Sequence, residues 1–166
     1  MAGGSETFFS EATLPMTVCP DGYVQGDVTL ASNARLENTA EGAACVYGNI
    51  VATGTGAVVA GGFKLDGGTL SFLNVAPGTR DLSTVLAFEN PAEDFLADVG
   101  AINIDFTARP TRGTVRICAA GGLDAVGAAE KISVSINGEA FTRAHCTVED
   151  GFLVAKIPVG TRVIIR

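Results

Sequence analysis

The chain has 166 residues, which suits one domain or two small units, and its 47% apolar composition is enough to build a core. Its 21 glycines and low charged fraction of 17% favour strands and turns over long helices. The net charge of −7 and the lack of basic tracts argue against a nucleic-acid partner, because phosphate binding needs clustered Lys and Arg. No apolar run reaches the roughly 18 residues of a membrane span.

The start of the chain lacks the basic and apolar regions of a signal peptide. Glycine-rich, lysine-poor β chains are nevertheless typical of proteins outside the cell. The protein is therefore either cytosolic or has had a natural leader replaced by a new start. We favour the second alternative, which predicts an extracellular or cell-surface location.

In chain order, we predict a lead-in segment over residues 1–16 and a glycine-punctuated β-solenoid-like unit over 17–76. An antiparallel β unit with a terminal meander follows over 77–166, and the two units can form one continuous domain. The fold class is all-β: a short solenoid or meander over about 17–75, then an antiparallel sheet or sandwich with one short helix near 91–98. Turn chemistry at Pro20-Asp-Gly22 ends the first strand, which begins at Met16.

Glycine-led steps organise the first unit. The steps are Gly26-Asp-Val-Thr-Leu, Gly48-Asn-Ile-Val-Ala and Gly61-Gly-Phe-Lys-Leu, spaced 22 and 13 residues apart. Each step places apolar side chains with the period of two that a strand with one buried face requires. The glycines permit tight corners between these strands.

The helix is predicted at Asn90-Pro-Ala-Glu93. Asn90 can cap the helix, Pro91 suits its first position, and Glu93 lies at the capping-box position. Residues 101–108 and 114–118 are predicted to form an antiparallel strand pair around a turn at 110–113, and residues 119–129 a loop.

Two hairpins are predicted near the end of the chain. Asn137-Gly138 favours a two-residue type I′ turn, because both residues tolerate positive φ. A turn at Asp150-Gly151 would pair Val148 with Leu153 and Cys146 with Ala155. The two hairpins use opposite strand faces, so either a bulge intervenes or both faces are covered. The last strand is predicted at 161–165.

Four cysteines in a low-charge β chain are compatible with two disulfides, and the sequence leaves three pairings open. Pairing within each half, Cys19 with Cys45 and Cys118 with Cys146, would join the strands of each unit. The alternative is that all four are free thiols that behave as small apolar residues.

Candidate sites are few, and we predict no enzyme activity, no cofactor and no assigned metal site. His145 and Cys146 are neighbours on a strand and point to opposite faces, so they cannot share a metal. Four carboxylates near the predicted helix form a weak Ca²⁺ candidate, against the simpler interpretation that acidic residues complement a helix N-terminus: Glu89, Glu93, Asp94 and Asp98. Three residues around a turn could indicate polysaccharide cleavage, although a solvated hairpin tip is the ordinary interpretation: Asp105, Arg109 and Arg112.

Three stretches resemble passenger-type β-solenoid segments of bacterial autotransporter-like surface proteins: Gly26-Asp-Val-Thr-Leu, Gly61-Gly-Phe-Lys-Leu-Asp-Gly-Gly-Thr-Leu-Ser-Phe and Phe152-Leu-Val-Ala-Lys-Ile-Pro-Val-Gly-Thr. The resemblance covers residues 17–75 well and the rest loosely. It implies an extracellular, non-catalytic scaffold or adhesin. The chain departs from that family in lacking a leader and a membrane barrel, and in having few repeats.

The leading functional hypothesis is a structural or interaction module at a cell or particle surface. Its expected partners are copies of itself, through the β-branched strand Val163-Ile164-Ile165, or other surface proteins. The alternative is a carbohydrate-binding or polysaccharide-lyase-like β-helix protein. Sugar faces stack on exposed aromatic side chains. This chain has no Trp, and its only tyrosines are Tyr23 and Tyr47, which argues against the carbohydrate alternative.

Overall fold

The protein is described by a computed structural model that covers residues 6–7, 16–18, 23–39, 41–141 and 143–159, with only the backbone of the first two ranges. Strands are the main secondary structure of the described chain, which has one short α-helix. The prediction of an all-β protein with one short helix is therefore confirmed.

The strands form two parallel sheets, one sheet that is parallel except for its edge strand β15, and one small antiparallel sheet. Sheet A contains β1 (Glu6–Thr7), β3 (Tyr23–Val24), β6 (Ala44–Val46) and β9 (Phe63–Leu65). Sheet B contains β4 (Val28–Leu30), β7 (Ile50–Ala52), β10 (Thr69–Val75), β12 (Ala101–Phe106), β14 (Ile132–Ile136) and β15 (Glu139–Ala140). Sheet C contains β2 (Met16–Val18), β5 (Arg35–Asn38), β8 (Ala57–Ala60) and β11 (Leu86–Glu89). Sheet D contains β13 (Thr114–Ala119), β16 (His145–Glu149) and β17 (Phe152–Lys156).

From β3 to β11, successive strands visit sheets A, B and C in turn, so this part of the chain winds as a three-sided parallel solenoid. In sheet B, Val28 lies beside Ile50, and Ile50 lies beside Leu70. Parallel stacking continues past residue 75, because β10 pairs with β12 and β12 pairs with β14. Sheet B thus joins strands from both units that the sequence predicts.

The interior of the solenoid is filled by inward-facing apolar side chains. Strand β12 alternates buried and half-buried residues along its whole length, as the sequence pattern predicts. Neighbouring rungs place like residues in register, so Phe72 lies beside Ile104, and Ile104 lies beside Val134. The largest fully buried side chains come from sheets B, C and D and from the segments between strands: Phe72, Phe106, Leu30, Leu36, Leu70, Leu82, Leu86, Leu96, Ile102, Ile104, Ile117 and Leu153.

Glycines stack at the corner between sheets A and B. A Cβ at Gly48 would lie 1.9 Å from the carbonyl oxygen of Gly26, and one at Gly68 would lie 1.8 Å from that of Gly48. The prediction that Gly26 and Gly48 open equivalent strands is confirmed by the register of β4 and β7. The third equivalent glycine is Gly68 rather than Gly61, which lies at the corner between sheets C and A and has φ +88°.

The predicted position of the helix is wrong. Residues 93–98 form consecutive turns, and α1 spans Ala125–Lys131, which begins in the stretch predicted as a loop and ends two residues beyond it. The carbonyl of Phe95 accepts the N–H of Leu65, and the N–H of Leu96 donates to Gly121. Backbone groups of residues 93–98 therefore form hydrogen bonds with neighbouring turns of the solenoid, and these bonds compete with the i→i−4 hydrogen bonds of a helix. Asp124 caps α1 by accepting the N–H of Gly127.

The predicted antiparallel pairing of residues 101–108 with 114–118 is also wrong. Both edges of β12 are occupied by parallel neighbours, β10 and β14, while β13 pairs antiparallel with β17. The loop between β12 and β13 instead stacks on the preceding rung, where Thr111 donates to the carbonyl of Pro77. A short 3₁₀ helix at Leu82–Thr84 precedes β11.

Both predicted hairpins are confirmed. Ile136 lies opposite Glu139 with Asn137 at φ 51° and Gly138 at φ 78°, as a type I′ turn requires. In the second hairpin, Cys146 pairs with Ala155 and Val148 pairs with Leu153. The conflict between their buried faces disappears because the hairpins belong to sheets B and D. The predicted strand at 161–165 lies outside the described residues.

Candidate functional site

The two tyrosines of the carbohydrate alternative meet on the outer surface of sheet A. Register places Tyr23 beside Cys45, and Tyr47 follows directly after β6. The ring centroids of Tyr23 and Tyr47 lie 6.0 Å apart in an edge-on arrangement of 64°. Tyr47 is 53% exposed, so one aromatic face is available to solvent. A hydrogen bond with the Cys45 thiol raises the pKa of Tyr47.

An ion pair borders this aromatic surface. Cys45 lies beside Lys64 on the next strand, and Lys64 Nζ donates to the Asp94 carboxylate at 2.6 Å. This hydrogen bond raises the pKa of Lys64 and lowers that of Asp94. Aromatic, thiol and charged groups therefore lie side by side on sheet A.

The Ca²⁺ candidate does not assemble. Asp94 is paired with Lys64, and Glu89 on β11 lies 2.9 Å from the guanidinium of Arg35 on β5, two strands away in sheet C. Ca²⁺ needs six to eight oxygen ligands. In the part of the chain that the structure describes, no three His, Cys, Asp or Glu side chains are grouped to hold a metal ion, so the four acidic residues of the prediction do not form a site.

The predicted Cys118–Cys146 disulfide is not formed. Both residues are free and buried, and their strands are separated by β17. Two strand spacings amount to about 9–10 Å, beyond the roughly 7 Å over which Cα atoms can be bridged. Burial raises the pKa of Cys146 to about 11 and that of Cys118 further. These two thiols behave as the alternative interpretation expected, as small apolar residues.

The predicted Cys19–Cys45 disulfide involves one residue outside the described chain. Cys45 itself is a free, half-buried thiol on the outer side of sheet A. Its neighbour Val46 points into the solenoid and is fully buried. Cys45 therefore belongs to the surface that carries the tyrosine pair.

The residues considered for polysaccharide cleavage are not brought together. The Asp105 carboxylate accepts the hydroxyl of Ser135 at 2.5 Å and the N–H of Gly138 at 2.8 Å. Arg109 and Arg112 are exposed in the following loop. Asp105 thus stabilises the β14–β15 hairpin, and within the described residues it is not paired with either arginine.

An ion pair that the sequence did not indicate closes one end of a small cleft between β11 and β13. Arg116 Nε donates to Asp81 at 2.7 Å, and the Arg116 guanidinium lies 4.6 Å from the centre of the Phe152 ring. Burial raises the pKa of Asp81, but hydrogen bonds from Ser83 and Arg116 outweigh it and lower the pKa overall. Asp81 and Arg116 are 35 positions apart, and nothing in their local sequence predicts the contact.

An opening with a mostly apolar lining lies along the outer edge of β14, and we call it the β14 cleft. It has a volume of about 330 Å³ and is lined by Ile132, Ser133, Val134, Ala140, Phe141, Ala144 and His145. The prediction that His145 and Cys146 face opposite ways is confirmed, because His145 is exposed and Cys146 is buried. The sequence indicated the hairpin but not this cleft.

The backbone of β14 is only partly paired on the cleft side. Strand β15 pairs with β14 at Ser135 and Ile136, and the N–H of Phe141 donates to the carbonyl of Val134 at 2.7 Å. Ile132 and Ser133 have no strand neighbour on that side in the described chain. Sheet B therefore ends in an edge that is open at its first residues and bordered by apolar side chains.

Comparison with family models, with curated proteins and with solved structures finds no match for this chain. Among the described residues, no helix has the length and apolar character needed to cross a membrane.

Proposed function

We propose that this protein is a non-catalytic structural or interaction module of a cell-surface or particle-surface assembly, and that it associates with itself through β edges. The observation that carries the proposal is the open edge of β14 beside an apolar cleft. An unpaired strand edge presents N–H and C=O groups that another chain can pair with. Apolar side chains beside the edge add the free energy of burial to that pairing.

The β14 edge lacks the features that usually prevent such pairing. Its sequence, Ile-Ser-Val-Ser-Ile, contains no proline and no charge. Lys131 precedes the strand, but its Nζ donates to the carbonyl of Val99 at 2.6 Å and is held against the previous rung. The strand itself therefore presents no charged side chain to a second copy.

The test compares two substitutions in the same row of sheet B. Ser133 lies on the β14 edge, and Thr29 lies on β4, which ends the described sheet at its other side. Both belong to the row that runs through Val51, Ser71 and Asn103. Ser133→Lys places a charge at the proposed contact, and Thr29→Lys places the same charge in the same row away from it.

Sedimentation velocity over a hundredfold concentration range provides the measurement. We expect the natural chain and Thr29→Lys to form larger species as concentration rises, and Ser133→Lys to remain monomeric. Circular dichroism verifies that both variants are folded. If the natural chain is monomeric at every concentration, the proposal is contradicted. If both variants associate equally, the contact does not involve β14.

The pairing of Tyr23 with Tyr47 favours carbohydrate binding as the second candidate function. Two aromatic rings within 6.0 Å of each other offer neighbouring surfaces on which sugar rings can stack. The test is binding to a glycan array. Binding that is lost in Tyr23→Ala and Tyr47→Ala but retained in Tyr47→Phe would favour this candidate, since Phe preserves the stacking surface.

A further inference from the structure

The described chain ends beside the β14 cleft. Ile157 donates its N–H to the carbonyl of Gly113 at 2.9 Å, and the exposed residues Pro158 and Val159 follow. His145 borders Pro158 on one side and lines the β14 cleft on the other. The residues after Val159 are therefore attached next to the open edge.

Those residues have the composition of a strand that buries one face. The segment is Gly160-Thr-Arg-Val-Ile-Ile-Arg166. With the period of two of a strand, Val163 and Ile165 share one face, and Arg162 and Arg166 share the other with Ile164. The segment contains two positive charges and no acidic residue.

We propose that residues 160–166 of a second copy bind in the β14 cleft as an added strand along Ile132–Val134. Val163 and Ile165 would then pack against the apolar lining, which includes Phe141 and Ala144. The backbone of the segment would use the edge groups that β15 leaves unpaired. The inference rests on the proposed function, and it identifies which part of the partner fills the open edge.

Charge complementarity supports this occupant. Glu130 precedes β14, and Glu139 lies opposite Ile136 at its other end; both are exposed, and neither forms an ion pair within the described chain. The segment 160–166 carries Arg162 and Arg166 and no acidic residue, so its charge is opposite to that of these two carboxylates. A strand added along Ile132–Val134 therefore brings positive charge to an edge that is flanked by carboxylates.

The position of the segment favours exchange between two copies. Residues 160–166 follow Val159, which lies beside the protein's own cleft. Two copies related by a two-fold axis can therefore each donate this segment to the other copy and accept one in return. Such an isologous arrangement forms both strand pairs in one association event. Residues in neighbouring copies thus complete the β14 edge reciprocally.

The experiment uses the full chain with the photoreactive residue p-benzoylphenylalanine in place of Ala140, which is exposed at the cleft. A second variant carries it in place of His145, in case the first does not fold. Each is mixed with an equal amount of ¹⁵N-labelled natural chain, irradiated, digested and analysed by mass spectrometry. We expect cross-linked peptides that join the unlabelled cleft to labelled residues 160–166. Cross-links confined to one chain, or to other regions, overturn the inference.

Two further substitutions test the face of the segment that is buried. Ile165→Asp places a charge on the proposed inner face, and we expect it to raise the dimer dissociation constant about tenfold or more, as the loss of a buried Ile implies. Ile164→Asp is the matched control on the other face and should change the constant much less.

The outcomes separate this inference from the proposed function. If the natural chain does not associate, both are contradicted. If it associates but Ile165→Asp associates equally well, only the assignment of residues 160–166 is wrong, and the open edge has another partner strand.

Discussion

Asn38 and Gly62 lie on neighbouring rungs, and the side-chain amide of Asn38 donates to the Gly62 carbonyl at 2.7 Å. The same amide nitrogen donates to the carbonyl of Gly42, also at 2.7 Å. Asn38 is only 5% exposed, so water cannot replace these bonds easily. One buried side chain therefore satisfies two backbone carbonyls at the corner between sheets C and A.

Replacing Asn38 with alanine should destabilise the protein. The Gly42 carbonyl loses this donor, the Gly62 carbonyl keeps only the N–H of Ala44, and we expect the free energy of unfolding to fall by about 2 kcal/mol. Urea unfolding followed by circular dichroism measures the change. Glu37→Ala on the same strand is the control, since its exposed ion pair is worth less than about 1 kcal/mol. Equal losses in the two variants would contradict this role for Asn38.

Gly48→Ala should be more damaging than an alanine at a glycine that faces open space. The added Cβ would lie 1.9 Å from the Gly26 carbonyl oxygen, so the rungs must move apart. We expect a loss of about 3 kcal/mol, as for overpacking of a rigid site. Gly42→Ala is the control, because its Cβ would meet nothing within 4 Å. Thermal unfolding measures the stability of both variants. If Gly48→Ala is as stable as Gly42→Ala, the close stacking of Gly48 on Gly26 is contradicted.

Cys118 and Cys146 should be unreactive in the folded protein. Both are buried thiols, and burial raises the pKa of Cys146 to about 11 and that of Cys118 further, so neither forms a thiolate at pH 8. Iodoacetamide should therefore label them only after denaturation, whereas half-buried Cys45 is expected to react earlier. Peptide mapping by mass spectrometry reads each site separately. Resistance to labelling even after denaturation without reductant would reveal a disulfide.

Stability should decrease in alkali because of these same thiols. Below about pH 9 they are protonated in both states and contribute no pH dependence. Between pH 9 and about 11, unfolded Cys146 ionises while the folded thiol stays protonated, so the free energy of unfolding falls as pH rises. The slope is at most about 1.4 kcal/mol per pH unit for each thiol.

Urea unfolding at a series of pH values measures this dependence. Cys146→Ala should reduce the slope above pH 9 and leave the slope between pH 6 and 8 unchanged. Identical alkaline slopes in the variant and the natural chain would show that Cys146 is not protected in the folded state.

Local sequence determined the hairpins and the inward-facing residues. Asn137-Gly138 and Asp150-Gly151 have few alternatives to a type I′ turn, because both positions of the turn need positive φ. The alternation of Ile102, Ile104 and Phe106 likewise specifies one buried face. These features depend only on neighbours in the chain, which is why the sequence is sufficient to predict them.

Tertiary structure decided which strands are neighbours and which edge is left open. Register in sheet B joins residues 20 to 32 positions apart, such as Ile50 with Leu70 and Leu70 with Ile102. The hydrogen bonds between rungs are made by backbone groups, which are the same in every residue and carry no sequence signature. For the same reason, the helix-forming pattern at Asn90 was overridden by the sideways bonds of Phe95 and Leu96. The β14 cleft arises only when β15, β16 and β14 have been placed around it, so the sequence alone could not reveal it.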